Sequence, residues 1–502
     1  MLYIRGHKII KGYIGNTPIS HVGFGKSGLI KIKSENGGSD YPNNLIAKYT
    51  TNTSGVLPVF NDGYQYTINE TEVNGVYTVE LFSDSDFTNC SFNGKTSLLT
   101  VEYLKVTSNV TTMYAMFQKC SQLTQLDVSN WNTIQVTNMG TMFRDCSSLT
   151  QLDLSNLDTN KVTVMSNMFY NCTQLTQLDV SNWNTSNVTN MSNMFRTCSK
   201  LTTIGDVSNW VTDNVKDMNG MFYGSSLIQL NISNWNTSNV TNMSNMFYNC
   251  TKLTQLDVSN WNTSNVTNMS NMFYTCSKLT TIGDVSNWNT SNVTNMSNMF
   301  RDCSSLTQLD LSNWDTNKVT TMANTFNGCS SLTQLGVSNF DTSNVTTMYA
   351  MFQECSKLTQ LDVSNWNTSN VTGMGYMFNK CFKLTNLNVS NWDTSQVINM
   401  GYMFNGCKLL TQLDVSNFDT SNVTNMSDFI VNASVLQSFI SCAIPVSFGA
   451  SGTALTHDSL MSIINNLATV TTTQTLTLGS TNLAKLSSEE KAIATNKGWT
   501  LA

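Results

Sequence analysis

The chain has 502 residues, of which 40% are hydrophobic and 12% are charged, and its formal net charge at pH 7 is −6. Regularly spaced apolar residues in this proportion exclude an intrinsically disordered chain, and the acidic balance argues against a nucleic-acid partner. No apolar run is long enough to cross a bilayer, and the first residues do not read as a signal peptide. We therefore expect no membrane insertion.

Residues 1–36 form the first predicted module and lack the repeat that follows. Glycines separate short β-like stretches in this segment, which predicts a small β module. Their basic side chains outnumber the single acidic residue, Glu35, and are Arg5, Lys8, Lys11, Lys26, Lys31 and Lys33. These six residues are either a solvated face or a docking surface for an acidic partner, and we treat them as a candidate assembly module.

Residues 37–97 are predicted to be a β-rich cap. The stretch from Leu57 to Leu81, LPVFNDGYQYTINETEVNGVYTVEL, alternates apolar and polar residues as strands do. A stack of coils needs such a cap, because an uncovered terminal strand is a site of aggregation.

Residues 98–430 repeat one phrase of about 26 residues. Phenylalanine recurs at one phrase position from Phe117 to Phe429, in steps of 25, 26 or 27 residues. One copy cannot bury its own apolar side chains, whereas stacked copies can bury them against one another. The repetition therefore predicts an α/β solenoid with one short parallel strand and one short helix in each coil.

The copy from Leu175 to Lys200 shows how each element is predicted. Leu178 and Val180 alternate with Asp179, as in a strand with one buried face. Val188, Met191, Phe195 and Cys198 then follow at steps of three and four, which is the spacing of one helix face. Thr185 precedes this run and is predicted to cap the helix through its hydroxyl oxygen.

An aspartate column is the strongest candidate for a ligand-facing site. On stacked strands these carboxylates would line the exposed face and could bind Ca²⁺ or accept hydrogen bonds from sugars. The alternative is that each carboxylate accepts hydrogen bonds from neighbouring backbone or Ser/Thr donors. The members are Asp127, Asp153, Asp179, Asp206, Asp257, Asp284, Asp310, Asp362 and Asp414, and the column is interrupted at Asn231, Gly336 and Asn388.

Tryptophan and cysteine form two further columns. The tryptophans, from Trp131 to Trp392, are replaced in three copies by leucine or phenylalanine, which favours core packing over sugar stacking. Eleven of the 13 cysteines occur once per repeat, without a CxxC pair, so that a zinc site is not expected. We predict buried free thiols, and we expect no metal and no cofactor.

Residues 431–502 are predicted to be a C-terminal capping region. The stretch from Thr456 to Val470 indicates an amphipathic helix capped by threonine. A short strand follows, and a second helix begins with Ser487 and Glu490 spaced as a capping box and ends at Gly498.

The repeat phrase, LxxLDVSNWxTSxVxxMxxMFxxC, resembles that of the BspA-like leucine-rich repeat family over about residues 98–430. This family is common in surface proteins of gut bacteria, in mycoplasmas and in phages of gut bacteria, and the resemblance implies a recognition solenoid rather than an enzyme. The segments GNTPI and GFGKSG of residues 1–36 resemble, more weakly, the virion-anchoring pieces of phage tail and fibre proteins.

Together these patterns favour a phage virion protein, part of a tail fibre, a spike or another decoration. Residues 1–36 would contact other virion proteins, and the repeats would bind a glycan or protein of the host surface. The alternative is a bacterial cell-surface adhesin of the same repeat family. Either protein could form a homo-oligomer, and we expect neither to be an enzyme.

Overall fold

The computed structural model describes the backbone of residues 2–4, 7–9, 13–14 and 17–18, and describes residues 42, 44–61 and 63–502 with their side chains. The chain divides into two compact units, of which the first holds Met1–Asn214 and Ser225–Leu227, and the second holds Val215–Gly224 and Ile228–Ala502. Each unit contains stacked coils.

The first unit begins with short antiparallel pairs. β1 (Leu2–Ile4) pairs with β2 (His7–Ile9), and β3 (Tyr13–Ile14) pairs with β4 (Thr17–Pro18). Strand pairing was predicted for this segment and is confirmed for these ten backbone positions. Of the candidate assembly residues, Arg5, Lys11, Lys26, Lys31 and Lys33 lie outside the described residues, and Lys8 is described only as part of β2.

A five-stranded sheet follows and continues into the first coil. Its strands, in spatial order, are β11, β10, β5, β8 and β7. β6 and β9 form a separate antiparallel pair. The bounds of all seven strands are β5 Leu45–Thr51, β6 Val59–Phe60, β7 Thr67–Val73, β8 Val76–Phe82, β9 Cys90–Ser91, β10 Leu98–Leu104 and β11 Gln125–Leu126. β10 pairs with β11 in parallel, so that the sheet covers the first edge of the strand column.

The hairpin of β7 and β8 confirms the alternation predicted for residues 57–81. Its turn is Asn74–Gly75, with φ of 53° and 79°. Positive φ at both central residues matches the right-handed twist of paired strands, and asparagine and glycine are the residues that accept it at least cost.

Within each unit, successive coils pair in parallel through the Thr-Gln-Leu segment of the phrase. In the second unit β12 (Gln308–Asp310) pairs with β13 (Gln334–Gly336), and β14 (Gln412–Asp414) pairs with β15 (Ser438–Ile440). Elsewhere the pairing shrinks to single bridges, such as Gln177 with Thr203 in the first unit. The predicted parallel strand is therefore confirmed, but it is very short.

The predicted helix in each coil is wrong. Where it was expected, the backbone makes consecutive turns, and two residues four apart adopt positive φ, as Asn271 (56°) and Thr275 (57°) do. A right-handed helix cannot pass through a left-handed residue. Among residues 44–61 and 63–502, helices occur only after Thr456.

Hydrogen bonds between coils explain why turns replace the helix. The N–H groups of Met139, Thr141, Phe143 and Asp145 donate to carbonyls of the next coil, at 2.8–3.0 Å. The alternating N–H groups donate within the coil, three residues back, as Cys146 does to Phe143. A helix would direct all of these groups along its own axis, whereas alternation bonds each coil to its neighbour.

The core of each coil is the column of phenylalanines with methionine, valine and cysteine around it. Phe247, Met246, Val240 and Cys250 are buried, as predicted. Within each unit consecutive phenylalanine rings stack with centroids 5.5–5.8 Å apart, until the T-shaped contact of Phe404 with Phe429 ends the column. These ladders supply the burial that a single coil lacks.

The C-terminal region of the second unit closes its last coil. It contains β16 (Phe448–Gly449), α1 (His457–Asn466), β17 (Gln474–Thr477), α2 (Gly479–Leu483), α3 (Ser488–Asn496) and β18 (Trp499–Leu501). α1 begins after Thr456, whose hydroxyl accepts from the Ser459 N–H, and α3 begins with the predicted Ser487–Glu490 capping box. Both predicted helices and the strand between them are confirmed, while α2 was not predicted.

Candidate functional site

The exposed side of the Thr-Gln-Leu-Asp segment carries two polar columns. In β12 and β14 the side chains of Gln308, Asp310, Gln412 and Asp414 are exposed, while the leucine between each pair is buried. All nine aspartates of the predicted column are exposed. The glutamine column beside them was missed by sequence reasoning, although its spacing of two residues from each aspartate indicated the same strand face.

Each column aspartate also holds a turn. The Asp310 Oδ1 atom accepts a hydrogen bond from the N–H of Ser312 at 3.0 Å, and the other eight make the same contact two residues on, at 2.9–3.1 Å. In Asp257, Asp362 and Asp414 the serine hydroxyl donates to the same oxygen. One oxygen of every carboxylate is therefore used within its own coil, as the structural alternative predicted.

At Asp153 and Asp179 the neighbouring serine stabilises the charged form of the carboxylate. Ser155, whose N–H donates to the carboxylate, lowers the pKa of Asp153 below its usual value, and Ser181 does the same for the pKa of Asp179. Asn388 takes the same place in one coil and accepts from Ser390 at 3.1 Å, so that the turn needs an acceptor but not a charge.

The described residues of the aspartate column contain no preformed cluster for a metal ion. Among residues 42, 44–61 and 63–502, no group of three or more His, Cys, Asp or Glu side chains could hold a metal ion. The role of the column in Ca²⁺ or sugar binding stays a prediction.

A polar groove of about 820 Å³ crosses three neighbouring coils of the second unit on this face. Asp284, Gln308, Asp310 and Gln334 lie along it, and Gly283 and Gly336 leave it open. Gly283 is required, because its φ is +80° and an added Cβ would lie 2.5 Å from the Asp257 carboxylate oxygen. At Gly336 an added Cβ would meet Asp310 only at 3.6 Å, so that a side chain would fit and would narrow the groove.

The tryptophan and cysteine columns belong to the core. Trp261 and Trp288 are buried, and the indole N–H of each donates to a carbonyl of an earlier coil at 3.1 Å, which confirms packing over sugar stacking. All 13 cysteines are buried thiols outside disulfides, and the Cys276 thiol donates to the Phe247 carbonyl at 3.1 Å. Burial raises the pKa of Cys198 to about 12 and makes that thiol a poor nucleophile.

The threonine predicted as a helix cap has a different role. Thr185 and Thr263 are buried, and each hydroxyl donates to a carbonyl of the next coil, at 2.8 Å to Val211 and at 2.9 Å to Asn289. The N-cap prediction is therefore wrong, because no helix follows and the hydroxyl is a donor between coils rather than an acceptor.

Comparison with known families gives one match. The family described as "Mycoplasma protein of unknown function, DUF285" matches residues 87–204, 197–309, 278–361, 295–407 and 359–443. These overlapping segments cover the repeats and extend into the region on either side. No curated protein matches the chain.

Several solved leucine-rich repeat proteins are similar. A leucine-rich repeat protein from Bacteroides ovatus is 14% identical, with 88% of this chain and 98% of that chain covered and a TM-score of 0.29. A Leptospira interrogans LRR protein is 13% identical, with 83% and 95% covered and a TM-score of 0.23. The functional domain of InlJ from Listeria monocytogenes, which includes a cysteine ladder, is 15% identical, with 66% and 75% covered and a TM-score of 0.16.

The described helices include none that is long and apolar enough to cross a membrane.

Proposed function

This chain belongs to the family described as Mycoplasma protein of unknown function, DUF285, and we propose that it is a non-enzymatic structural and recognition protein of a phage virion. In this proposal the repeats bind a glycan or protein of the host cell surface. Residues 1–36 contact other virion proteins.

The observation that carries the recognition role is the repeated polar face. Exposed glutamine and aspartate side chains recur at the same place in successive coils, above a core that is almost the same in each coil. Such a face suits many shallow contacts with a repetitive ligand, because several weak contacts made by neighbouring coils of one unit give a high combined affinity. The same regularity supports a non-enzymatic role, since repetition presents one group many times rather than one unique set.

The virion role is supported by the contrast in charge between residues 1–36 and the rest of the chain. Residues 1–36 carry six basic side chains and one acidic side chain, and the rest of the chain accounts for the net negative charge. Opposite charge favours contact of this module with an acidic partner. The phage origin rests on this contrast and on the resemblance of the module to virion-anchoring pieces.

A bacterial cell-surface adhesin is the second candidate. The observation that favours it is the family description, which refers to Mycoplasma, a cellular organism. The polar face of the repeats would serve adhesion in the same way in either case.

Fractionation separates the two candidates. Phage particles and cells from a strain that encodes the chain are purified, and peptides of the chain are measured by mass spectrometry in each fraction. A constant ratio to capsid protein across the particle peak supports the virion role. Recovery from intact cells by surface proteolysis, without enrichment in particles, supports the adhesin instead.

The recognition role is tested at the groove. We expect Gly336→Asp to weaken binding of the purified protein to host cells, because a side chain beside Asp310 would narrow the groove. Asn388→Asp is the matched control, since it adds the same carboxylate to the same column away from the groove. Equal binding by both variants and the unchanged protein would rule out the groove as a contact site.

A further inference from the structure

Three tyrosines of the second unit form an aromatic cluster on neighbouring coils. The rings of Tyr376 and Tyr402 stack with centroids 4.6 Å apart and planes 8° apart. The ring of Tyr349 lies 5.7 Å from that of Tyr376, at an interplanar angle of 61°. The cluster is therefore a stacked pair with a third ring set at an angle to it, which makes a corner between aromatic surfaces.

The backbone of this cluster is unfavourable for tyrosine. Tyr376 and Tyr402 have φ of 60° and 59°. Bulky side chains rarely adopt this left-handed conformation, whereas asparagine tolerates it. The equivalent place holds alanine or threonine with a similar φ in three other coils, and it holds asparagine in six, at Asn167, Asn193, Asn245, Asn271, Asn298 and Asn324. Tyrosine is the bulkiest residue found at this place and costs stability relative to asparagine, so that its use in two neighbouring coils points to a function.

The cluster is open to solvent. Tyr349 is 39% exposed, and Tyr376 and Tyr402 are half-buried. Gly375 and Gly401 directly precede the two stacked tyrosines and add no side chain, where several other coils have serine. The rings of Tyr223, Tyr248 and Tyr274 differ, because the Tyr248 ring lies between the other two, 4.3 Å and 4.6 Å away, and both of its faces are covered.

A polar group accompanies the rings. The nearby Asp428 carboxylate raises the pKa of the Tyr402 phenol above its usual value. Aromatic surface with a few fixed polar groups is the composition of a small-ligand site. The carboxylate and the acidic chain disfavour an anionic ligand.

We propose that Tyr349, Tyr376 and Tyr402 bind a neutral oligosaccharide built of pyranose rings, an inference that rests on the proposed recognition of surface glycans. The C–H face of a pyranose is apolar and packs on an aromatic ring, and its hydroxyl rim hydrogen bonds to phenol hydroxyls and to a carboxylate. The site is separate from the aspartate column, because it is built from the turn segment of the coil and not from the strand segment.

Binding is measured by titration calorimetry of the full chain with four defined probes: cellohexaose, maltohexaose, mannohexaose and chitohexaose. We expect at least one to bind with a Kd at or below about 1 mM, which corresponds to about −4 kcal/mol. Absence of binding by all four would overturn the proposal.

Two single variants locate the site. Tyr349→Ser should weaken binding at least about tenfold. Tyr114→Ser is the matched control, since Tyr114 occupies the same phrase position and is 57% exposed, but the next coil has Thr141 and not tyrosine at the left-handed place. It should bind as the unchanged protein does. Unchanged binding by Tyr349→Ser, or equal loss in both variants, would overturn the proposal.

A double variant separates binding from folding. Tyr376→Asn with Tyr402→Asn should abolish binding while the melting temperature stays equal or rises, because asparagine is the residue used at this place in other coils. Retained binding would overturn the proposal, as would loss of binding accompanied by a lower melting temperature, which indicates a structural role. Adhesion to host cells is measured in parallel. Adhesion without sugar binding contradicts only this inference, whereas sugar binding without adhesion contradicts only the proposed function.

Discussion

Two segments of the second unit have apolar residues at similar spacing but different backbones. In a repeat, Val266, Met269, Phe273 and Cys276 are buried on consecutive turns. In the C-terminal region, Leu460, Ile463, Ile464 and Leu467 are buried in and just after α1. Spacing alone therefore does not decide between helix and turns.

The difference lies in where the backbone hydrogen bonds go. Along α1 they stay within the segment, and the threonine at its start accepts one of them. In the repeat, alternate N–H groups donate to the next coil. This alternation requires left-handed residues, and asparagine adopts that conformation at a low cost in energy. A repeated segment has an identical neighbour to bond to, whereas a capping segment at the end of the stack does not.

The largest expected effect tests the core of the repeat. Phe247→Asp should lower the free energy of unfolding by about 5 kcal/mol, because it removes a stacked ring and buries an unpaired charge. Chemical denaturation followed by circular dichroism measures the loss. Asp458→Ala, at an exposed position of α1, is the control and should change stability by less than about 1 kcal/mol. A similar small loss for Phe247→Asp would contradict the stacked core.

The second prediction uses threonine in its two roles. The buried Thr263 hydroxyl donates between coils, while the Thr456 hydroxyl accepts from the Ser459 N–H at the start of α1 and donates only to the Ser459 hydroxyl beside it. Thr263→Asp should therefore cost about 3 kcal/mol, since a buried carboxylate cannot donate. Thr456→Asp should be neutral within about 0.5 kcal/mol, because aspartate is a good N-cap. Equal losses at the two sites, measured by urea denaturation, would show that the roles do not differ.

The third prediction is that alanine, a strong helix former, destabilises the repeat but stabilises α1. Asn271→Ala should cost about 1 kcal/mol, because alanine at φ of 56° is strained, whereas Asn271→Gly should restore most of the loss. Asn465→Ala, at an exposed position in α1, should instead stabilise by up to about 0.5 kcal/mol. Thermal melts of the three variants show whether each substitution raises or lowers the melting temperature. Stabilisation by Asn271→Ala would indicate that the repeat tolerates a helix.

The smallest expected effect concerns the aspartate column and pH. Hydrogen bonds from Ser181 lower the pKa of Asp179 in the folded protein. Their contribution to stability is therefore present above the unfolded pKa, near 3.9, and is lost as pH falls through the folded value. Asp179→Asn should change stability by less than about 0.5 kcal/mol at pH 7, since Asn388 makes the same turn, and should lose less stability on acidification. A steeper acid loss in the variant would contradict this prediction.

Features that depend on one coil and its copies were predictable from the amino-acid sequence. The 26-residue period with its apolar positions was enough to predict stacked coils, the buried Phe247 and Trp261 columns and the exposed aspartates, because burial follows from which residues recur. The helices of the C-terminal region were predictable as well, since Thr456 and the Ser487–Glu490 pair are local signals.

Features that depend on the neighbouring coil were not predictable from the sequence, because they form only when the coils stack. The turns in place of a helix, the threonine donors such as Thr263 and the tyrosine corner at Tyr349 each need a partner about 26 residues away. The asparagine pairs at left-handed places, such as Asn245 and Asn249, were the sequence signal for the turns, but the same asparagines are compatible with loops and caps. A backbone N–H can donate within its own segment or across the stack with similar energy, and only the assembled stack supplies the second acceptor.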